Sequence, residues 1–137
     1  MITFTEGQNK FNFRVAGIAV HRDRILLHTT LQDDFWNLPG GRVEFQESTD
    51  QALIREIREE LGIDIQIDKL LYVNEDFFEY DRMKYHEIGF SLHFLFPKAM
   101  KFWIGRASSQ ALRMAADLSS NGLQLRNYRA CRYIRLS

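Results

Sequence analysis

Residues 39 to 62 limit the fold of this chain more than any other stretch: a proline and two glycines lead into a short amphipathic helix studded with carboxylates. Pro39-Gly40-Gly41 forbids regular helix, and the glycines permit backbone angles and close approaches that a side chain would prevent. Ser48 with Gln51 three residues on fits a capping box, with Thr49 as a competing cap. Ala52 to Leu61 holds strong helix formers and no proline, and Gly62 suits the C-terminal cap. At about 100° per residue, Leu53, Ile54, Ile57 and Leu61 share one arc, with Glu56, Glu59 and Glu60 as a wedge beside it. Such a helix must lay its apolar stripe on another layer and keep its acids at the border.

That other layer is a sheet. Phe11 to Val20 begins by alternating and becomes nearly all apolar, as a strand entering a buried sheet does. His21-Arg-Asp-Arg24 is short and polar, and Ile25 to His28 follows, which reads as a hairpin. Leu31 to Gly41 reads as a loop. Beyond the helix, Ile63 to Val73 holds one strand, and Asn74 to Lys84, acidic and aromatic, reads as a loop or ragged hairpin. Glu87 to Phe96 is a second core strand, stopped by Pro97. Gln110 to Leu118 suits a short helix and Tyr128 to Leu136 a final strand. With 137 residues and no repeat, low-complexity tract or linker, one domain over 1–137 is expected.

Eighteen basic and 18 acidic residues cancel, so a general nucleic-acid-coating function, which needs surplus positive charge, is disfavoured. The balance is uneven along the chain: residues 1–97 carry 17 acidic and 10 basic groups, and residues 98–137 carry one acidic and 8 basic groups. One cysteine, Cys131, excludes an internal disulfide and a multi-cysteine metal knuckle. No apolar run is long enough to cross a bilayer, and the N-terminus lacks a signal-peptide pattern, so a cytoplasmic protein without membrane association is expected.

Glu56 and Glu60 lie one helical turn apart, and Glu56 and Glu59 nearly so; their carboxylates can converge. Converging carboxylates repel unless arginines or cations neutralise them. Oxygen-only sites suit magnesium or manganese, whereas a solvated acidic face relieved by Arg55 and Arg58 is the plainer reading.

The wider pattern, Gly41-x5-Glu47-x7-Arg55-Glu56-Ile57-x-Glu59-Glu60-x-Gly62-Ile63, resembles the Nudix box at every fixed position, and Trp36-Asn-Leu-Pro-Gly-Gly41 and Ala52 strengthen the likeness. The resemblance extends over residues 11 to 97. It implies an α/β/α sandwich with a mixed central sheet. It also implies that Glu56, Glu59 and Glu60 hold one to three divalent cations, usually Mg2+ with Mn2+ as a substitute. Glu47 lies close by, and the Gly40–Gly41 backbone can supply a carbonyl ligand. Arg55 pairs with Glu47 and orients the helix. The implied reaction is water attack on phosphorus in a nucleoside diphosphate linked to another group, so a nucleotide or nucleotide-sugar is the expected partner. A non-catalytic nucleotide sensor and an RNA pyrophosphohydrolase are the alternatives, and a nucleic-acid partner is disfavoured by the zero net charge.

The general base stays open among Glu56, Glu60, Glu87 and His86, with Asp117 the one carboxylate after Glu87. Glu87 is either a metal- or water-positioning residue or a strand-end residue in ordinary polar contact. Arg14, beside Phe11 and Phe13, is a candidate for phosphate or ribose; Trp36 and Phe77 are candidates for stacking on a base or filling a dimer interface. His21 and His28 read as turn and strand residues. Aromatic residues make up 13% of the chain, several in irregular stretches, which points to a homodimer, as does the family resemblance.

Overall fold

The computed structural model describes residues 1–21, 24–29, 35–98 and 130–135. Two sheets flank one helix among them. The larger is mixed: β2 (Asn9–Ile18) runs parallel to β7 (Met83–Leu95), which pairs antiparallel with β6 (Gln66–Tyr80). The other side of β2 is shared end to end by β1 (Thr3–Glu6) and β5 (Gly40–Arg42), both antiparallel to it. The smaller sheet is antiparallel, in the order β3 (Val20–His21), β4 (Arg24–Thr29) and β8 (Ala130–Arg135). The expected α/β architecture with a mixed central sheet is present, and so are the hairpin from Val20 and the final strand. The helix expected over Gln110–Leu118 lies outside the described residues, as does Asp117.

Helix α1 (Thr49–Leu61) has the caps its sequence requires. The Ser48 hydroxyl accepts from the Gln51 N–H, the Gln51 side chain accepts from the Ser48 N–H, and Gly62 closes the helix at φ 67°. Its apolar stripe is buried: Leu53 and Ile57 are fully shielded with Val15, Val43, Leu92 and Phe94. Gly17 sets how closely helix and sheet approach, since a Cβ there would lie 2.6 Å from the Phe94 ring and 3.1 Å from Leu53 Cδ1.

Residues 74–84 differ from the expected loop or ragged hairpin. They belong to a long regular hairpin, with Tyr80 opposite Met83 and Asp81-Arg82 as its two-residue turn. Both turn residues have positive φ, 49° and 61°, the backbone that a right-twisted hairpin demands. Asp-Arg lacks the glycine that usually marks such a turn, which is why the residues themselves do not announce it. Strand β7 therefore starts at Met83 rather than Glu87.

Candidate active site

The site is built where α1 meets β5. Arg55 is its hub. Its Nε donates to Glu47 Oε1 at 2.8 Å and its Nη2 to Glu47 Oε2 at 3.0 Å, a two-pronged pair. Nη2 also reaches the Arg42 carbonyl at 3.1 Å, tying the helix to the end of β5. Nη1 donates to Glu56 Oε1 at 2.9 Å and stands 3.5 Å from the more exposed Glu59. Glu47 follows Gln46, which has φ 63°, and its Oε2 takes a further hydrogen bond from the Glu44 N–H. Both Glu47 oxygens are thus engaged.

Glu56 lies against the glycine pair. A Cβ on Gly41 would fall 2.2 Å from the Glu56 carboxyl carbon, and one on Gly40, at φ 144°, 2.2 Å from the Val15 carbonyl. Only glycine leaves this cradle open. Glu60 turns the other way, to the smaller sheet, where its Oε2 lies 3.3 Å from Nδ1 of the buried His28. Backbone bonds in both directions between His28 and Asn37, each 2.7 Å, join that strand to the loop before Pro39. His28, read from sequence as an ordinary strand residue, is therefore a neighbour of the box. A single isolated histidine carries no signal that would have revealed this long-range contact.

The electrostatics follow from this packing. Hydrogen bonds from Arg55 hold the Glu47 carboxyl below its usual range, against the opposing effect of burial. Burial pushes Glu56 above the usual range; Arg55 opposes that shift, and the charges of Glu60 and Glu59 add to it. Arg55 is held more firmly protonated by Glu47.

No three acidic, histidine or cysteine side chains among the described residues are gathered closely enough to hold a metal ion. The donors nevertheless fit a hard cation. Glu56 is an oxygen donor pressed into a cradle that a single Cβ would fill, near two further carboxylates whose charge raises its pKa.

The other candidate residues separate. Arg14, Trp36 and Glu87 line one cavity of about 340 Å3, on the face of the larger sheet turned away from α1. Glu87 there accepts from Asn12 Nδ2 at 3.3 Å. Phe77 lines a different cavity of about 680 Å3, with Phe4, Phe11 and His86. His86 is paired with Glu75 at 2.7 Å and packed on Phe77. Neither phenylalanine beside Arg14 joins it: Phe13 packs on Phe90, and Phe11 on Phe4 and His86. Strand alternation sends both to the opposite face.

Comparison with known proteins agrees with this architecture. An RNA pyrophosphohydrolase of Ruthia magnifica is 36% identical over 72 residues, covering 51% of this chain and 40% of that protein. An 8-oxo-dGTP diphosphatase of Proteus vulgaris is 55% identical over 31 residues, 23% of this chain and 28% of that one. The chain thus spans less than half the length of these curated relatives. The crystal structure of a MutT Nudix hydrolase from Burkholderia pseudomallei has 29% identity and a TM-score of 0.50, covering 62% of this chain and 69% of that one. The family model described as the NUDIX domain matches residues 11–107, and the chain belongs to that family.

Proposed function

We propose that this protein is a divalent-cation-dependent pyrophosphohydrolase. The oxygen of water forms a new bond to phosphorus, the anhydride P–O bond breaks, and the water's proton passes to a carboxylate of the α1 region. Membership in the family implies the general activity. The observation that carries the reading for this chain is the Arg55 hub, which pairs with Glu47 and holds Glu56 against Gly41 of β5.

Glu56 and Glu59, with a carbonyl of Gly40 or Gly41, would hold Mg2+ or Mn2+, and Glu60, which lies against His28, would join them by turning back from the smaller sheet. The ion, when bound, neutralises phosphate charge and lowers the pKa of the attacking water. Glu47, with both oxygens on Arg55, acts as the orienting partner of the arginine rather than as a principal ligand. Burial raises the Glu56 pKa and so makes its carboxylate the stronger proton acceptor. Glu87 belongs to substrate recognition in this reading, because it faces the cavity of Arg14 and Trp36. The protein acts as a homodimer, a reading supported by β6, which is exposed along nearly its whole length and paired on one side only among the described residues.

Two substrate readings differ in what lies beyond the anhydride: a nucleoside diphosphate linked to another group, or the 5′ end of an RNA. The comparisons favour the second, since the alignment with the RNA pyrophosphohydrolase, over 72 residues, is longer than that with the 8-oxo-dGTP diphosphatase, over 31. Incubation with Mg2+ and each of a nucleoside triphosphate, ADP-ribose, a UDP-sugar and 5′-triphosphorylated RNA, with products identified by mass, tests the proposal. Anhydride cleavage of RNA above the others supports the RNA reading. Cleavage of none contradicts the hydrolase reading and leaves a nucleotide-binding sensor.

A further inference from the structure

The cavity on the face of the sheet turned away from α1 is arranged as a grid. Three side-by-side rows cross β2, β7 and β6: Asn12, Glu87 and Asp76; Arg14, Gly89 and Asn74; Ala16, Ser91 and Tyr72. Gly89 leaves the centre of the floor bare, and the Asn74 carboxamide leans over it, 2.7 Å from where a Cβ would stand. Ser91 is 3% exposed and lines the cavity.

The two ends of the grid differ in charge. At the β2 end, Arg14 Nη2 donates to the Leu38 carbonyl at 3.1 Å, three residues before the Gly41 on which Glu56 rests. At the far end, Asp76 and Glu87 stand directly opposite each other on neighbouring strands, a pairing of like charges that strands avoid. Each is relieved by an asparagine, Asp76 by Asn74 and Glu87 by Asn12, through one carboxylate oxygen. The second oxygen of each has no partner among the described residues. From β5 to β6 is three strand spacings, about 14 Å, the reach of a nucleoside carrying two or three phosphates.

We propose that this cavity reads the guanine edge of the substrate, with Arg14 toward the phosphates, Glu87 accepting from N1–H and Asp76, one strand further on, accepting from the N2 amino group. Ionised carboxylates only accept. Guanine is the one common base with two donors on adjacent atoms of its pairing edge; adenine and cytosine set an acceptor beside their amino group, and uracil has one N–H between two carbonyls. Two donors also relieve the repulsion between the carboxylates. The inference rests on the pyrophosphohydrolase reading for the direction of the phosphates, but base binding is measurable without turnover.

Calorimetry with GMP, IMP and AMP tests it, because IMP differs from GMP at this edge by the missing N2 amino group alone. GMP should bind at least about tenfold more tightly than IMP, the loss of one hydrogen bond to a charged group. In Asp76→Asn, whose amide meets a donor with a donor, that ratio should fall to within about threefold. Equal affinity for GMP and IMP, or an unchanged ratio in Asp76→Asn, overturns the proposal. Steady-state rates on GTP and ITP, and on 5′-triphosphorylated RNA beginning with G or A, separate a free nucleotide from an RNA end. A guanine preference in either arm supports the inference, and activity without preference in both overturns it. Should nothing be hydrolysed, the hydrolase reading fails, and the GMP-to-IMP ratio still judges the guanine edge.

Discussion

At the scale of single residues, the site turns on what Arg55 does for two carboxylates in different electrostatic states. The Glu47 pKa is lowered, so its charged form adds stability above the ordinary carboxylate range, and that contribution is lost as pH falls through the lowered pKa. The Glu56 pKa is raised, so the sign reverses: stability is lost as pH rises from the ordinary range through the raised pKa. In chelator at neutral pH, Glu47→Gln should therefore lower the thermal midpoint, with the deficit fading in acid. Glu56→Gln should hold or raise it, because a neutral amide carries no charge into the half-buried cradle. A large loss of stability in Glu56→Gln, seen by thermal melts across pH, would show that its contact with Arg55 outweighs its burial. The pair itself is testable by a cycle of Arg55→Ala and Glu47→Gln on turnover. Strong non-additivity is expected, since either change leaves the other group without its charged partner, and strict additivity would mean that the two act separately. Arg55, Glu47, Glu56 and the glycines were legible as a spaced motif. The His28–Glu60 contact was not, because it joins a strand and a helix that are distant in sequence.

At the scale of elements, α1 could be read in full because its signals are local: the capping box, the apolar arc and Gly62 lie within one run of residues. The β6–β7 hairpin hid for the opposite reason. Its strands alternate imperfectly, and its turn holds Arg82 in a left-handed conformation without a glycine. Arg82→Gly should relieve that backbone and stabilise the fold by roughly 1 kcal/mol, the order of the left-handed penalty for a side-chain-bearing residue. Urea unfolding measures it, and a destabilised variant would mean that the Arg82 side chain contributes more than its backbone costs. Gly17→Ala should act in reverse and cost roughly 1–3 kcal/mol, because the added carbon overlaps Phe94 between sheet and helix. Unchanged stability there would show that the Phe94 ring can retreat.

For the whole molecule, the mixed sheet does two tasks with its two faces. One packs α1 and thereby holds Glu47, Arg55 and Glu56 at the β5 edge; the other carries the Arg14–Asp76 cavity, and the Leu38–Gly41 turn connects them. Strand alternation in Phe11–Val20 indicated two faces, but nothing local assigned Phe13 to the core side and Arg14 to the cavity, since that depends on where the helix docks. The homodimer expectation belongs to this scale as well. Light scattering at micromolar concentration should give about twice the 16.2 kDa chain mass, and a value near the chain mass would leave Leu70, Val73 and Phe77 without a partner subunit. The most direct test of the central claim is the initial rate of anhydride cleavage at saturating Mg2+, for the parent and for Glu56→Gln, on GTP and on 5′-triphosphorylated RNA. The parent should turn over at least one of them in a metal-dependent way, with Glu56→Gln slower by roughly 10²–10⁴. Equal rates in the two proteins, with the variant folded, would contradict the assignment of the chemistry to the cradle between α1 and the glycine pair of β5.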